Sequence, residues 1–230
     1  TQVPEYVGIV NLPFGNVGEM KSWGADGNIA FNHRINEEMS FVVRGNFTYS
    51  TNEISNWEQP DPKYPYQSFS GWPYQIHRGL IALGLFKDQE DIDNSPIQTF
   101  GKYMPGDIKY KDVNGDGRID SDDEVPLAYS NYPRLMFGFG GEFNYKSWTF
   151  NILFKGIGKK DFYYTGEGGA GYYPFLWGET GNVLKIVGDT KNRWIPASYS
   201  GDSSTENPNA RFPRLSYGQN SNNVRTSTFW

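Results

Sequence analysis

Along two stretches of the chain, apolar and polar residues alternate with the period of a β-strand whose faces meet different surroundings. Leu135, Phe137, Phe139, Phe143 and Tyr145 share one parity, with Gly138, Gly140, Glu142 and Asn144 on the other. After Lys146-Ser147 the apolar parity switches to Trp148, Phe150, Ile152 and Phe154. A two-residue hairpin turn demands that switch if the apolar side chains are to stay on one face of the sheet. A second pattern runs Ile29, Phe31, Ile35, then Phe41, Val43, Phe47 and Tyr49, opposed by Asn32, Arg34, Ser40, Arg44, Asn46 and Thr48, with its turn near Asn36-Glu37. The alternation predicts an all-β fold with antiparallel hairpins over about 27–51 and 133–158.

A large apolar face opposite Gly, Asn, Arg and Ser suits a soluble sandwich, where that face is core, and also a membrane barrel, where it meets lipid; the pattern alone favours the sandwich. Connection lengths favour the barrel. Two very short turns are separated by the long segment Thr51 to Tyr132, and another long segment follows Lys159. Outer-membrane barrels have short periplasmic turns and long extracellular loops, whereas a loop of this length in a compact soluble domain is unusual. Within the first excursion, Tyr64 to Tyr74 is rich in Pro and aromatics, Gln75 to Phe86 reads as a short strand, and polar Lys87 to Asn94 has room for one helical turn.

Composition narrows the class. A net charge of −5 with 17% aromatic residues offers no basic surface, so nucleic acid is not an expected partner. The longest apolar run, Gly79 to Phe86, falls far short of the ~20 residues of a membrane-spanning helix. With Cys 0 there is no disulfide frame and no thiolate site. The chain opens without an initiating Met or a signal-peptide pattern, and a fragment of a longer polypeptide is the expectation.

Asp112 to Asp123 reads D-V-N-G-D-G-R-I-D-S-D-D, the spacing of a twelve-residue calcium loop. Ca²⁺ takes roughly 6–8 oxygens at about 2.3–2.6 Å. The loop would supply the side chains of Asp112, Asn114, Asp116, Asp120 and Asp123 and the backbone carbonyl of Arg118. Gly117 stands where the sharp turn needs positive φ, and Ile119 can pin the loop to an apolar surrounding. Asp123 is one carbon shorter than the usual Glu, which weakens bidentate reach, and Mg²⁺ is the alternative ion. Asp, Asn and Gly are also what solvated turns contain. Pro105, Gly106 and the Ile108/Tyr110 alternation argue against a preceding helix.

No catalytic residues are assigned. Gly166, Gly168 and Gly171 match a dinucleotide fingerprint, yet Tyr172-Tyr173-Pro174 follows in place of a helix N-terminus. His33 sits on the apolar parity near a turn, and His77 has no Ser, Cys or His close by in sequence. Glu142 faces the polar side of a strand without an evident partner, so the paired carboxylates of a glycosidase are not found. The competing non-transport reading is a calcium-stabilised secreted β-sandwich, either a carbohydrate-binding or an adhesion module; a dockerin would carry two calcium loops on helices. Trp72, Tyr74, Tyr163, Tyr164, Tyr172, Tyr173 and Trp177 fall in loops, where they could contact substrate or instead pack the loops and form an aromatic girdle.

Four blocks in order carry a family resemblance: Asn16-Val-Gly-Glu-Met20; Gly79-Leu-Ile-Ala-Leu-Gly-Leu-Phe86; Pro105-Gly-Asp-Ile-Lys-Tyr-Lys-Asp-Val-Asn-Gly-Asp-Gly117; and Glu206-Asn-Pro-Asn-Ala-Arg-Phe-Pro-Arg214 followed by Ser227-Thr-Phe-Trp230. They resemble the C-terminal barrel half of SusC/RagA-like TonB-dependent transporters. Ser22-Trp-Gly-Ala-Asp26 and Pro126-Leu-Ala128 depart from the usual family residues. The resemblance implies part of an antiparallel transmembrane barrel of about 22 strands in the outer membrane of a Gram-negative bacterium. It further implies a SusD-like lipoprotein lid, import of oligosaccharides or peptides, and energy from TonB through an N-terminal part outside this sequence. These strands would then pair with the remainder of the barrel and its plug and face outer-membrane lipid, because open strand edges are not tolerated in a bilayer.

Overall fold

The computed structural model describes residues 18–127, 129–130, 132–161, 175–176, 183–218 and 220–230. In chain order the strands are β1 (Gly18–Arg34), β2 (Met39–Trp57), β3 (Arg78–Gly79), β4 (Ala82–Leu85), β5 (Ile97–Gln98), β6 (Ile108–Tyr110), β7 (Arg118–Ile119), β8 (Val125–Pro126), β9 (Leu135–Tyr145), β10 (Trp148–Gly158), β11 (Phe175–Leu176) and β12 (Ser216–Tyr217). Short helices α1 (Gln89–Asp93), α2 (Lys185–Gly188) and α3 (Ala197–Ser200) punctuate the loops. The described residues divide into two compact units, one of 18–62, 68–76 and 129–161, the other of 63–67, 77–127 and those after 161.

The alternating stretches make the first unit, an antiparallel sheet in the order β1-β2-β9-β10. Cross-strand pairing lines the apolar parities up: Phe41 opposes Phe143, which opposes Phe150, and Phe47 opposes Phe137. Met39 pairs with Tyr145, and the Lys146 amide donates to the Glu38 carbonyl (2.8 Å), so both tight turns lie at one end of the sheet. β9 and β10 are each 11 residues, the length of a tilted membrane-spanning strand, about 9–11 residues. β1 and β2, at 17 and 19 residues, run beyond them at the end away from the turns.

That extra length differs from the expected hairpin of about 27–51. The pairing continues through Ser22↔Asn52 and Lys21↔Glu53 to Gly18↔Trp57, with a register shift between Glu19 and Met20. Charged Lys21 and Glu53 fall on the apolar parity there, which hides the strand from a hydrophobic period while the cross-strand pairing keeps it extended. β9 starts only opposite Tyr49, so farther along the far edge of β2 is taken by other partners: Ser50 donates to the Arg134 carbonyl, Ile54 donates to the Trp72 carbonyl, and Gly71 donates to Ile54.

The apolar face of this sheet is exposed: Ile29 is 73% accessible, Phe150 63% and Trp148 78%. Among the described residues no second sheet covers it, as the sandwich reading required. Its relief comes from glycines opposite aromatics, Gly27 with Phe47, Gly45 with Phe139 and Gly156 with Phe137. A Cβ on Gly27 would lie 2.9 Å from the Phe47 ring, so the ring rests on bare backbone.

The second unit packs Leu80, Leu85, Ile108, Tyr110, Ile119 and Trp194 into one core, with Phe100, Phe229 and Trp230 against it. Its paired strands are only two to four residues long. Gln75 to Phe86, expected as a single strand, is instead β3 paired with β8 and β4 paired with β6. Between them the Leu80 amide donates to the Thr226 carbonyl (2.9 Å) and the Leu80 carbonyl accepts from Thr228 (3.0 Å). Gly79 permits this approach, since a Cβ there would stand 2.3 Å from the Thr226 carbonyl oxygen. The helical turn expected near Lys87 to Asn94 is α1, capped by the Asp88 carboxylate accepting from the Asp91 amide (2.8 Å).

A buried polar knot ties the distant segments of this core. Asp107, fully buried, accepts from Asn220 Nδ2 (3.0 Å), Asn223 Nδ2 (2.8 Å), the Met104 amide (2.9 Å) and Arg214 Nη2 (3.0 Å). Arg214 Nε stands 2.9 Å from the same carboxylate as an ion contact without hydrogen-bond geometry. Asn222 and Asn223 then satisfy the backbone of Ile108, so residues that look like solvated coil become interior.

Candidate functional site

The twelve-residue loop occupies the second unit between extended flanks, β6 before it and β7 within it. Gly117 takes φ +80° and Gly115 +76°, both in the left-handed region that admits glycine without strain. Ile119 is fully buried in the core, and β7 pairs in parallel with β5, anchoring the loop's second half. Asp120 and Asp123 form a reciprocal capping box around a 3₁₀ turn at Ser121–Asp123.

The loop's acceptors turn inward on its own amides. Asp112 accepts from Gly115 through Oδ1 (2.7 Å) and from Gly117 through Oδ2 (2.8 Å). Asn114 Oδ1 accepts from Asp116, Asp116 Oδ1 from Arg118, and Asp120 Oδ1 from Asp122. Buried Asp123 takes Val113 on Oδ1 (2.7 Å) and Asp120 on Oδ2 (3.0 Å). Every donor group is a hard oxygen, which fits Ca²⁺ or Mg²⁺, and these oxygens keep lone-pair capacity beyond one amide bond. Among the described residues no three His, Cys, Asp or Glu side chains gather as a metal cage.

A neighbouring strap holds the loop's end. Lys63 Nζ lies 2.7 Å from Asp122 Oδ2, Gln67 Nε2 donates to Oδ1 (3.2 Å), and the Tyr66 hydroxyl donates to the Asp122 carbonyl (2.6 Å). The hydrogen bond from Lys63 holds the Asp122 carboxyl below its usual range and raises Lys63 in return. Burial pushes the Glu124 carboxyl and the Tyr66 phenol up.

On the sheet's polar face a second constellation appears. Glu142 accepts from Asn144 Nδ2 (2.9 Å) and Asn151 Nδ2 (3.3 Å), Asn151 Oδ1 accepts from Arg44 (3.4 Å), and Thr149 donates to Asn144 (2.6 Å). This corrects the expectation that Glu142 lacks a partner: its neighbours arrive from β9 itself and from β10, two residues along and across the hairpin. The donors here are the Asn144 and Asn151 side-chain amides, the Arg44 guanidinium and the Thr149 hydroxyl, and Glu142 is the one carboxylate among these residues. His33 stacks on Phe31 (6.0 Å) and tilts against Phe41 (5.5 Å), within the apolar face.

Of the loop aromatics, Trp72 and Tyr74 belong to the first unit and are about one-third to one-half exposed. Tyr163, Tyr164, Tyr172, Tyr173 and Trp177, and the glycine run 166–171, lie outside the described residues. Tyr74 stands 6.2 Å from Trp57, and Phe69 stands 6.1 Å from the same ring. Sequence reasoning passed over Trp57 because it stopped β2 at Thr51; following the pairing partners of Gly18 to Trp23 is the signal that reaches it.

No protein-family model matches the chain. A curated relative, TonB-dependent receptor P26 from Formosa agariphila, is 31% identical over 160 residues, covering 66% of this chain. The chain spans 15% of that relative's length. Among solved structures, that of the RagAB peptide transporter superposes with a TM-score of 0.59 at 16% identity, over 97% of this chain and 23% of that one. The latter likeness is one of fold: long antiparallel barrel strands with elaborate loops.

Proposed function

Because this chain belongs to the TonB-dependent receptor family, we propose that its long strands form part of the wall of an outer-membrane importer and its loop unit part of the external mouth. The observation that carries this is the first unit's sheet: one exposed apolar face, one hydrogen-bonded polar face, and both tight turns at the same end. An apolar outside and a polar inside are what a transmembrane barrel strand presents to lipid and lumen. β1 and β10 then pair with further strands of the same receptor, and the polar face looks toward its plug.

The cargo is a nutrient of the oligosaccharide or peptide class, captured with a SusD-like lipoprotein lid and moved with energy from TonB. The likeness in fold to the RagAB peptide transporter supports this reading. Ca²⁺, or Mg²⁺ in its place, binds at Asp112, Asn114, Asp116, Arg118, Asp120 and Asp123 and fixes the loop ahead of any encounter with lid or cargo. When bound, the ion supplies charge neutralisation and rigidity, with no chemical step.

The test uses single cysteines in the full receptor in intact cells. Glu90→Cys, exposed in the loop unit, should react with a membrane-impermeant maleimide. Glu37→Cys, in the tight turn, should react only after lysis. Equal labelling of both before lysis would overturn the orientation and with it the proposed role.

A further inference from the structure

The first unit carries a small apolar cavity that neither the metal loop nor the polar network uses. Its volume is about 200 Å³, and it is lined by Gly18, Glu19, Met20, Ile54, Trp57 and Tyr74. Its position on the sheet follows from register. No register shift interrupts β2 between Ser40 and Ile54, so Ile54 shares its parity with Arg44, Asn46 and Thr48. Met20 pairs directly with Ile54 and so shares that face. The cavity therefore opens on the polar face, opposite Phe31, Phe47 and Phe150, and a lipid-contacting girdle would need the other side. It also lies beyond Tyr49, where β9 has ended, at the sheet's loop end.

The cavity's wall is held before any ligand arrives. Tyr74 donates its amide to Asn52 Oδ1 (2.7 Å), Phe69 donates to Gln59 Oε1 (2.7 Å), and Ile54 exchanges backbone bonds with Gly71 and Trp72. The neighbouring Gln75 is held at φ +59°, which turns the chain away just after Tyr74. Yet Trp57 and Tyr74 stay 41% and 44% exposed. A half-open aromatic pocket on a fixed frame loses little entropy on binding.

Resting on the importer reading above, we propose that this cavity is a substrate subsite that takes an apolar side chain of an oligopeptide at the mouth of the barrel. The lining decides the class. A sugar ring would bring several hydroxyl groups against Met20 and Ile54, which offer no effective hydrogen-bond partner, and the Tyr74 hydroxyl and Trp57 indole N–H could meet only some of them, so the remainder would be buried unmet at a cost. Flexible, polarisable Met20 adapts to side chains of different shape, as a subsite for varied sequences needs. Glu19, the one ionisable lining group besides Tyr74, is exposed and suits a peptide ammonium or basic side chain next to the apolar one.

The full receptor purified from outer membranes is immobilised and offered a casein digest and a dextrin oligosaccharide ladder, and the retained species are identified by mass spectrometry. Peptides containing Leu, Phe or Met should be retained over the dextrins. Tyr74→Ala and Trp57→Ala should lower peptide affinity about tenfold, the scale of a buried anchor's loss. Tyr74→Phe should retain it, because the ring and not the hydroxyl is used. A photoreactive benzophenone amino acid in place of Tyr74 should cross-link to bound peptide. Dextrin retention that depends on Tyr74, peptide binding unaffected by Tyr74→Ala, or cross-linking only to the receptor's own chain would each overturn the subsite. Correct Glu90→Cys surface labelling alongside any of these would leave the importer role standing, whereas its failure would remove the premise itself.

Discussion

Phe137 lies across the backbone of its cross-strand partner Gly156: a Cβ built on Gly156 would come within 2.3 Å of the Phe137 ring. Gly158, two pairs along on the same parity, has room, since its Cβ would meet Leu135 at 3.5 Å. The contrast follows from ring orientation rather than from glycine's backbone freedom, because both positions are ordinary strand.

Gly156→Ala should therefore lower the barrel's stability by about 1–3 kcal/mol, the usual cost of overpacking, while Gly158→Ala changes little. The check is the midpoint of heat unfolding, followed by gel mobility of the full receptor. Equal midpoints for the two variants would show that Phe137 simply swings aside.

Phe150 and Thr149 are adjacent on β10 and point to opposite faces. Phe150→Arg should cost about 2–4 kcal/mol if its level is near the bilayer midplane, and should reduce the folded receptor recovered from outer membranes. Thr149→Arg enters the polar face beside Asn144 and should be far better tolerated. Equal recovery of both would contradict the assignment of the apolar face to lipid.

Chelation should loosen Asp112 to Asp123 if the loop is held by an ion. Treating the full receptor with EDTA should speed proteolysis within the loop, added Ca²⁺ should reverse the effect, and Asp112→Ala should remove the response. Asp112 is informative because both its oxygens brace loop amides, from Gly115 and Gly117. Identical cleavage with and without EDTA in the unsubstituted receptor would dismiss the metal.

Asp91 and Lys109 form a partly buried pair 2.7 Å apart in the loop unit. Burial raises the Asp91 carboxyl, but the Lys109 hydrogen bond, the Lys87 amide and their charges outweigh it and leave it below its usual range. A carboxyl depressed by folding adds stability above its unfolded value, about 3.9, and loses that contribution as pH falls through its folded value. Exchange of the Asn94 amide, which closes α1 on Glu90, should accelerate across that acidic window in the unsubstituted protein and less so in Lys109→Met. The effect is about 1 kcal/mol or less, because both side chains keep solvent contact; an unchanged pH profile in the variant would remove Asp91 as its source.

The hairpins were legible because each face keeps one environment over eleven or more residues, so parity alone locates Lys146-Ser147 and the turn before Met39. Legibility stopped where Lys21 and Glu53 broke the apolar parity, and Trp57 was lost with it. The conformation of the twelve-residue loop was readable for a different reason: Gly117 and Ile119 are set by local spacing, and the positive φ of the one and the burial of the other follow. The loop unit resisted, since strands of two residues carry no period and its interior is built by pairs such as Asp107 and Arg214, 107 positions apart. Asn222 and Asn223 look like coil until Ile108 supplies the amide and carbonyl they answer.

Leu80, clasped between Thr226 and Thr228, has a bearing on how such a chain reaches its place. Ala82, two residues on, donates to the Thr228 hydroxyl across 146 positions. Closing so long a loop is entropically slow, and neither half of the clasp has the other to fold against beforehand. Until residues 226–228 have followed, Leu80, Ile108 and Ile119 have no complete interior to enter. In a chain threaded across a membrane before it folds, that delay keeps the loop unit extended until residues 226–228 can reach Leu80.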